Sequence, residues 1–339
     1  YGTGAAIFSL AWHELLSRMT ADGSFKPRRL IAVDPLGWNL SSHPRWTAGL
    51  DPDKAEEWFV ESLEGWRSAS GIERMDLVGH SIGGYLAASY AERHSNRVRI
   101  LTLVSPAGVP KEPEDFRQKI LQASWKIRLM LRLWGRGWTP HLGLQCLPKR
   151  IGYRIAVNCA GRWTQRSEDD TCEVGMDKDA LADYIYFGWS EGAASSEMIL
   201  GAILHPGAWA KRPLCDRLPK IRVPRIEMIY GDRDWMDARH GNAVAEQCQA
   251  STTTATATTP TKTVRTPRIW VQLLKSAGHY GHLENVSGFV QALTQALGER
   301  DVGDEKARRS AELPPDFAKR FQGPDVPKWR SWEGYEFGR

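Results

Sequence analysis

Met75-Asp76-Leu77-Val78-Gly79-His80-Ser81-Ile82-Gly83-Gly84 decides how the rest of this chain is read. Met75 to Val78 is a short apolar run of strand length, and Ile82 to Arg93 (IGGYLAASYAER) has helical character and starts immediately behind it. Between them lies a G-x-S-x-G pattern. Gly and Ser are common in turns, so the pattern alone says little. A strand before it and a helix after it supply the context in which a serine sits on a tight, strained turn with its hydroxyl exposed. That geometry asks for very small residues two before and two after the serine. It also directs the amides of the helix N-terminus at any negative charge developing beside the hydroxyl.

Outward from this turn, short β-branched runs alternate with helical stretches. Arg29 to Asp34 (RLIAVD), Val98 to Val104, Ile226 to Tyr230 and Ile269 to Leu274 read as further buried strands. Pro52 to Ser68 has helical spacing, with Trp58, Phe59, Leu63 and Trp66 as its apolar stripe, and a last helix spans Val286 to Leu297. Near-continuous apolar strands separated by helices predict an α/β fold with a mostly parallel sheet covered on both faces.

A serine hydroxyl is a poor nucleophile until a base removes its proton, and the base needs a carboxylate to orient it. Behind a G-x-S-x-G turn of this kind the partners are expected just after later strands, in the order serine, acid, histidine. Ile226 to Tyr230 runs into Gly231-Asp232-Arg233-Asp234-Trp235-Met236-Asp237, and Ile269 to Leu274 into Ser276-Ala277-Gly278-His279. Asp234 is the expected acid and His279 the expected base, with Ser81 as nucleophile. Asp232 holding the turn and Asp237 capping a helix are the alternative carboxylates; His282 is the rival imidazole. His80 reads as a packed or substrate-lining side chain. An oxyanion hole needs two backbone N–H groups. Ile82 supplies one, and the glycine-rich turn Tyr1-Gly2-Thr3-Gly4 points to Tyr1 or Gly2 for the other.

About 120 residues between the third and fourth of these strands have a different character, helical and rich in Trp and Arg. From Arg117 to Arg166 there are eleven Lys or Arg and no Asp or Glu. Arg128, Arg132 and Arg136 recur every four residues and would share one helix face, accompanied by Trp125 and Trp134. One reading is a solvated charged face over an ordinary core. The other, favoured by the absence of acids and the nearby tryptophans, is a basic amphipathic surface lying on anionic lipid. Ala250 to Thr263 (ASTTTATATTPTKT) is low-complexity and is expected to be a disordered surface loop.

The chain has 339 residues, 42% of them apolar and 25% charged, with a net charge of +5. No uncharged window reaches the ~18 residues of a spanning helix. The charge is too mild to argue for nucleic acid. Five scattered cysteines without a CxxC pair disfavour a disulfide framework or a structural zinc, and fit a reducing compartment. Fifteen tryptophans are unusual, and Trp is favoured where an apolar ring meets a wet boundary. The division expected is a core at 1–112, a helical cap at 113–215, a second core part at 216–298 carrying the insert 250–263, and a charged tail at 299–339.

Taken together, the opening GTGAA, DPLGWNLSS at Asp34 to Ser42, GHSIGG, ILHPGAWAKRPL at Ile203 to Leu214, MIYGDRDWMD and AGHYGHLEN at Ala277 to Asn285 resemble the α/β-hydrolase superfamily. More narrowly they resemble its lipid-active branch of phospholipid deacylases, lysophosphatidic acid acyltransferases and lipase coactivators. The resemblance implies a helical cap inserted before the acid-bearing strand and, since the opening turn lacks its His-Gly, N-terminal strands missing from this chain. It implies a serine acyl-ester hydrolase of phospholipid or lysophospholipid, such as a cardiolipin deacylase, working through an acyl-enzyme without metal or organic cofactor. The alternatives it carries are a lysophosphatidic acid acyltransferase and a non-catalytic regulator of another lipase. The partner it implies is an anionic membrane surface, with a peripheral location at the mitochondrial inner membrane ahead of cytosol or lipid droplet. Asn39 stands where the branch has a glycine. The branch's H-x-x-x-x-D element, linked to acyl transfer, reads His279 to Glu284 here.

Overall fold

The computed structural model describes residues 29–116, 118, 124–137, 140–164, 177–190, 197–206, 208–255 and 266–298. Four parallel strands form the central sheet: β1 (Met75–His80), β2 (Val98–Val104), β5 (Arg225–Gly231) and β6 (Arg268–Leu274), in that spatial order. Side chains alternate between its two faces, as the pleat requires. Ile226, Met228 and Tyr230 of β5 face a core shared with α1 (Pro52–Ala69), α2 (Ile82–Arg93) and α8 (Ala238–Ala255). Ile229 points the other way, with Val104 and Leu274, under α10 (Val286–Leu297). The sheet is therefore covered on both faces, as the apolar runs predict.

Arg29 to Asp34 departs from its expected strand. The segment is extended but pairs with no described strand, and Ile31 is 39% exposed. An apolar run becomes a strand only where a neighbouring backbone takes up its N–H and C=O groups. The segment ends in a turn built around Asp34. Its carboxylate accepts bonds from the Tyr184 hydroxyl (2.8 Å), the Asn39 amide side chain (3.2 Å) and the Leu40 N–H (3.3 Å). Asn39 sits at φ 44°, in the left-handed region that asparagine tolerates and supports by bonding locally, so it can fill a turn position where glycine was expected.

The stretch between β2 and β5 contains α3 (Trp125–Trp134), α4 (Pro140–Gln145), α5 (Lys149–Thr164), α6 (Lys178–Ser190) and α7 (Glu197–Ile203). A short antiparallel hairpin, β3 (Leu204–His205) and β4 (Trp209–Ala210), comes after them. Ala156, Ala160, Leu181, Ala182 and Ile185 of α5 and α6 make a small core that closes over Leu283, a residue of the chain beyond β6. Several tryptophans serve packing rather than a boundary. Trp38 stacks on Phe59, and Trp46 and Trp58 meet with ring centroids 5.2 Å apart. The Thr-rich expectation also needs correcting, because α8 continues through Ala250 to Ala255. Extending an existing helix avoids the cost of nucleating one. The remainder of that stretch, 256–263, lies outside the described residues, as does the tail.

The return from the insertion is locked to α1 and α2 by a buried ionic cluster. The Glu56 carboxylate, with no exposed surface, accepts Nη1 and Nη2 of Arg217 (3.0 and 2.9 Å), Nη1 of Arg212 (2.7 Å) and the Tyr85 hydroxyl (2.5 Å). Arg217 also reaches Glu92 of α2 through Nε at 2.9 Å. Removing one partner of such a cluster strands the others' charge in a poorly solvated place. Arg217→Met is expected to lower unfolding free energy by about 3 kcal/mol, measured by urea denaturation with the slope of the transition unchanged.

Candidate active site

The carboxyl ends of the parallel strands carry the candidate residues. β1 ends at His80, and Ser81 comes next at φ 54°, ψ −118° before α2 begins at Ile82. A non-glycine residue there is strained by about 1–3 kcal/mol and is held only by its surroundings. The Ser81 N–H donates to the Val104 carbonyl (2.9 Å), while the Ser81 carbonyl accepts from Gly84 (3.0 Å), Tyr85 (3.2 Å) and Ala107 (3.1 Å). The required small residues are not quite those the pattern suggests. A Cβ on Gly79 would run into the carbonyl of Gly83, and one on Gly84 would press on Pro106 at 3.0 Å. A Cβ on Gly83 would meet no described atom within 4 Å.

The turn after β5 and the turn after β6 bring the two partners to Ser81. His279 Nε2 lies 3.0 Å from the Ser81 hydroxyl, and His279 Nδ1 lies 3.0 Å from Asp234 Oδ1. The consistent proton assignment has Ser81 donating to Nε2 and Nδ1–H donating to Asp234. Asp234 is 2% exposed, and its Oδ1 also accepts the Met236 N–H at 2.9 Å, which fixes the carboxylate's orientation. The competing carboxylates do other work. Asp232 accepts the Ala277 N–H (3.1 Å) and joins the two strand-end turns. Asp237 accepts the Arg239 N–H (2.9 Å) at the start of α8.

Gly231 allows the close approach: a Cβ there would collide with the Ala277 and Gly278 carbonyls. Trp235, half exposed, lies with its ring 5.1 Å from the His279 ring at the rim. His282, the rival imidazole, is buried on α9 (Gly281–Glu284) and packed on His80 and Phe289, while His279 takes the place beside the Ser81 hydroxyl. Burial pushes its pKa down to about 3. The sequence reading missed one contact: the His80 ring bonds to the His279 carbonyl at 2.7 Å. A histidine next to the serine was the only signal available for it.

The Ile82 N–H opens α2, where the helix itself offers it no carbonyl, and so it is placed to receive an oxyanion. Tyr1 and Gly2, the expected second donors, lie outside the described residues. Glu284 does not stand free for an acyl acceptor: its carboxylate takes the N–H groups of Gly278 and of Tyr280 (3.4 Å). The expected membrane residues divide. Trp125, Arg128, Arg132 and Arg136 are exposed, but Trp134 turns inward and donates its indole N–H to the Leu204 carbonyl at 3.1 Å. Nine residues from Trp125 at 100° each is half a turn, so the two indoles must point to opposite sides of α3. Arg136 also falls beyond the helix, which ends at Trp134.

Residues 8–129 match the alpha/beta hydrolase fold family. A probable 1-acylglycerol-3-phosphate O-acyltransferase of Oryza sativa subsp. japonica is 30% identical over 306 residues, covering 90% of this chain and 67% of that protein. The chain belongs to the alpha/beta hydrolase family, in its lipid-active branch. A (lyso)-N-acylphosphatidylethanolamine lipase of Bos taurus is 33% identical over 256 residues, covering 73% of this chain and 67% of the lipase. The chain thus spans about two thirds of the length of these relatives. Among solved structures, a bacterial membrane phospholipase A shares the fold with a TM-score of 0.51 and 20% identity, over 88% of this chain and 76% of that one.

His282 makes the fold acid-sensitive in a defined window. Its folded pKa of about 3 lies below the ordinary histidine value of 6.5, so below pH 6.5 the unfolded chain binds a proton the folded chain refuses. Stability should therefore fall by about 1.4 kcal/mol per pH unit as pH drops from 6.5 toward 3. His282→Phe, which keeps a ring in place, should remove that share of the slope in denaturation curves at pH 7, 6 and 5.

Proposed function

We propose that the protein is a serine acyl-ester hydrolase acting on membrane phospholipid or lysophospholipid. The observation that carries this reading is the unbroken hydrogen-bonded chain from Ser81 through His279 to Asp234, with 3.0 Å at each link. In the proposed cycle His279 takes the Ser81 proton as Oγ bonds to the acyl carbon. The resulting oxyanion is held by the Ile82 N–H. His279 then passes the proton to the departing alcohol as the ester C–O bond breaks. Water attacks the acyl-enzyme with His279 as base, releasing fatty acid and restoring Ser81. If a lysophospholipid hydroxyl attacks instead of water, the same intermediate gives a new phospholipid. The names of the rice and bovine relatives, an acyltransferase and a lipase, correspond to these two exits.

Ser81→Ala is expected to abolish ester hydrolysis and labelling by a fluorophosphonate probe while the protein still folds. Asp234→Asn should cost on the order of a thousandfold in kcat by misorienting the imidazole. Hydrolysis by Ser81→Ala within tenfold of the parent would refute the triad, and a parent that neither hydrolyses ester nor takes the probe would favour a lipid-surface regulator.

The proposed membrane contact is the outer face of α3, and it differs from a purely basic patch. Trp125, Leu129 and Leu133 are 64%, 47% and 38% exposed and succeed one another at helical spacing, with exposed Arg128 and Arg132 beside them. Apolar rings and branches among arginines suit a helix lying in the headgroup region of an anionic bilayer, such as the mitochondrial inner membrane. No helix among the described residues is long and apolar enough to cross one. Each basic residue near such a surface contributes about 1 kcal/mol. Replacing Arg128, Arg132 and Arg136 together by Glu should weaken flotation with phosphatidylserine vesicles by at least about a hundredfold, and raised salt should mimic it. Trp125→Ser with Leu129→Ser should weaken binding without changing its salt dependence. Binding indifferent to lipid charge and salt would overturn this contact.

A further inference from the structure

The spacing His279-x-x-x-x-Glu284 resembles an element linked to acyl transfer, yet the Glu284 carboxylate is turned to the main chain around His279. One oxygen accepts the Gly278 N–H and the other the Tyr280 N–H at 3.4 Å, so the amides of the residues before and after His279 share one anion. The Glu284 and Leu283 amides in turn donate to the Tyr280 carbonyl, at 2.9 and 2.7 Å. Gly278 is what permits this approach, since a Cβ there would lie 3.0 Å from the Glu284 carboxylate. From the opposite side, the His80 ring nitrogen Nε2 donates to the His279 carbonyl at 2.7 Å. His80 is covalently next to Ser81. The backbone of the base is thus tied directly to the turn that carries the nucleophile, independently of the bond between their side chains.

We propose that Glu284 and His80 are positioning residues that clamp the main chain on either side of His279, and that Glu284 has no direct part in activating an acyl acceptor. The proposal rests on the hydrolase reading of Ser81, His279 and Asp234. Its chemistry is plain. A carboxylate whose two oxygens are occupied by peptide N–H groups is a poor base for a lysophospholipid hydroxyl, whereas charge-assisted bonds of this kind fix a loop well. Burial and the neighbouring imidazoles His282 and His279 hold the His80 pKa well below the ordinary range. His80 therefore stays neutral and keeps its single N–H on the carbonyl. With His279 anchored through its own peptide, Nε2 stays in register with the Ser81 hydroxyl when a substrate pushes between them. Displacement of a base by about 1 Å can cost a hundredfold in rate.

The test uses the full chain with p-nitrophenyl butyrate as acyl donor, and lysophosphatidic acid as competing acceptor. Glu284→Gln should lower kcat by about tenfold or more with KM within about twofold, and should lower hydrolysis and transfer in the same proportion. His80→Phe should lower kcat in the same way, and His80→Gln, which can still donate to the His279 carbonyl, should recover most of the loss. A melting temperature close to the parent's separates loss of register from loss of fold. If Glu284→Gln does not fold, the His80→Phe and His80→Gln pair decides. A selective fall in transfer for Glu284→Gln would show the carboxylate acting on the acceptor and would overturn the proposal, as would unchanged kcat in both Glu284→Gln and His80→Phe. Ser81→Ala run in parallel keeps the two levels apart. Full activity there removes the mechanism itself, while an inert Ser81→Ala beside fully active Glu284→Gln and His80→Phe removes only the clamp.

Discussion

A serine held in the left-handed region at the end of β1 is the constraint on which the rest of the site depends. L-residues avoid that conformation, so its survival depends on the Val104 carbonyl, the Gly84, Tyr85 and Ala107 amides, and the absence of a Cβ on Gly79 and Gly84. The same turn ends β1 and starts α2 at the next residue, Ile82. Packing against β2 and α2 sustains the strained turn, and the turn gives the hydroxyl a position that neighbouring loops can be built to meet.

Those neighbouring loops are bonded to each other before they are bonded to Ser81. Asp232 takes the Ala277 N–H, the Arg233 N–H donates to the Ala277 carbonyl at 2.8 Å, and Gly231 lets the two chains pass at van der Waals distance. Asp234 and His279 therefore arrive as one pre-assembled unit. The insertion is fastened to the same region. Its small core closes over Leu283, one residue from Glu284, while the Glu56–Arg217 cluster ties its return segment to the helix behind Ser81. The insertion, through α5 and α6, and the loop that carries the imidazole thus share a packed contact.

Membership of the lipid-active branch of the alpha/beta hydrolases is consistent with each of these features. In the proposed cycle hydrolysis and transfer share one acyl-enzyme. What distinguishes them is which hydroxyl reaches that intermediate.

Much of this was legible in the residues alone. The strands at 98–104, 226–230 and 269–274, the helix behind Ser81 and the order serine, acid, histidine come from local patterns: continuous apolar runs, strand-end turns and spacing within one element. Asp234 could be separated from Asp232 only as an expectation, because both lie in the same turn and a rotation of one or two residues decides which carboxylate reaches the imidazole. Arg29 to Asp34 read as a strand because its composition is that of one, but strand formation needs a partner and composition does not report partners. Trp134 and Trp125 looked alike in sequence, and the position of the core on one side of α3 separated them. Glu284 and His80 show the same limit. Their identity and spacing were visible throughout, but Glu284 meets the Gly278 and Tyr280 amides only because its own loop folds back on itself, and His80 meets the His279 carbonyl across 199 positions of chain. Sequence by itself determined the elements and the chemistry available at their ends, since both are local. Only the tertiary structure decided which ends meet and which polar atoms are left to face the serine, because hydrogen-bond partners across loops are set by packing that no single segment encodes.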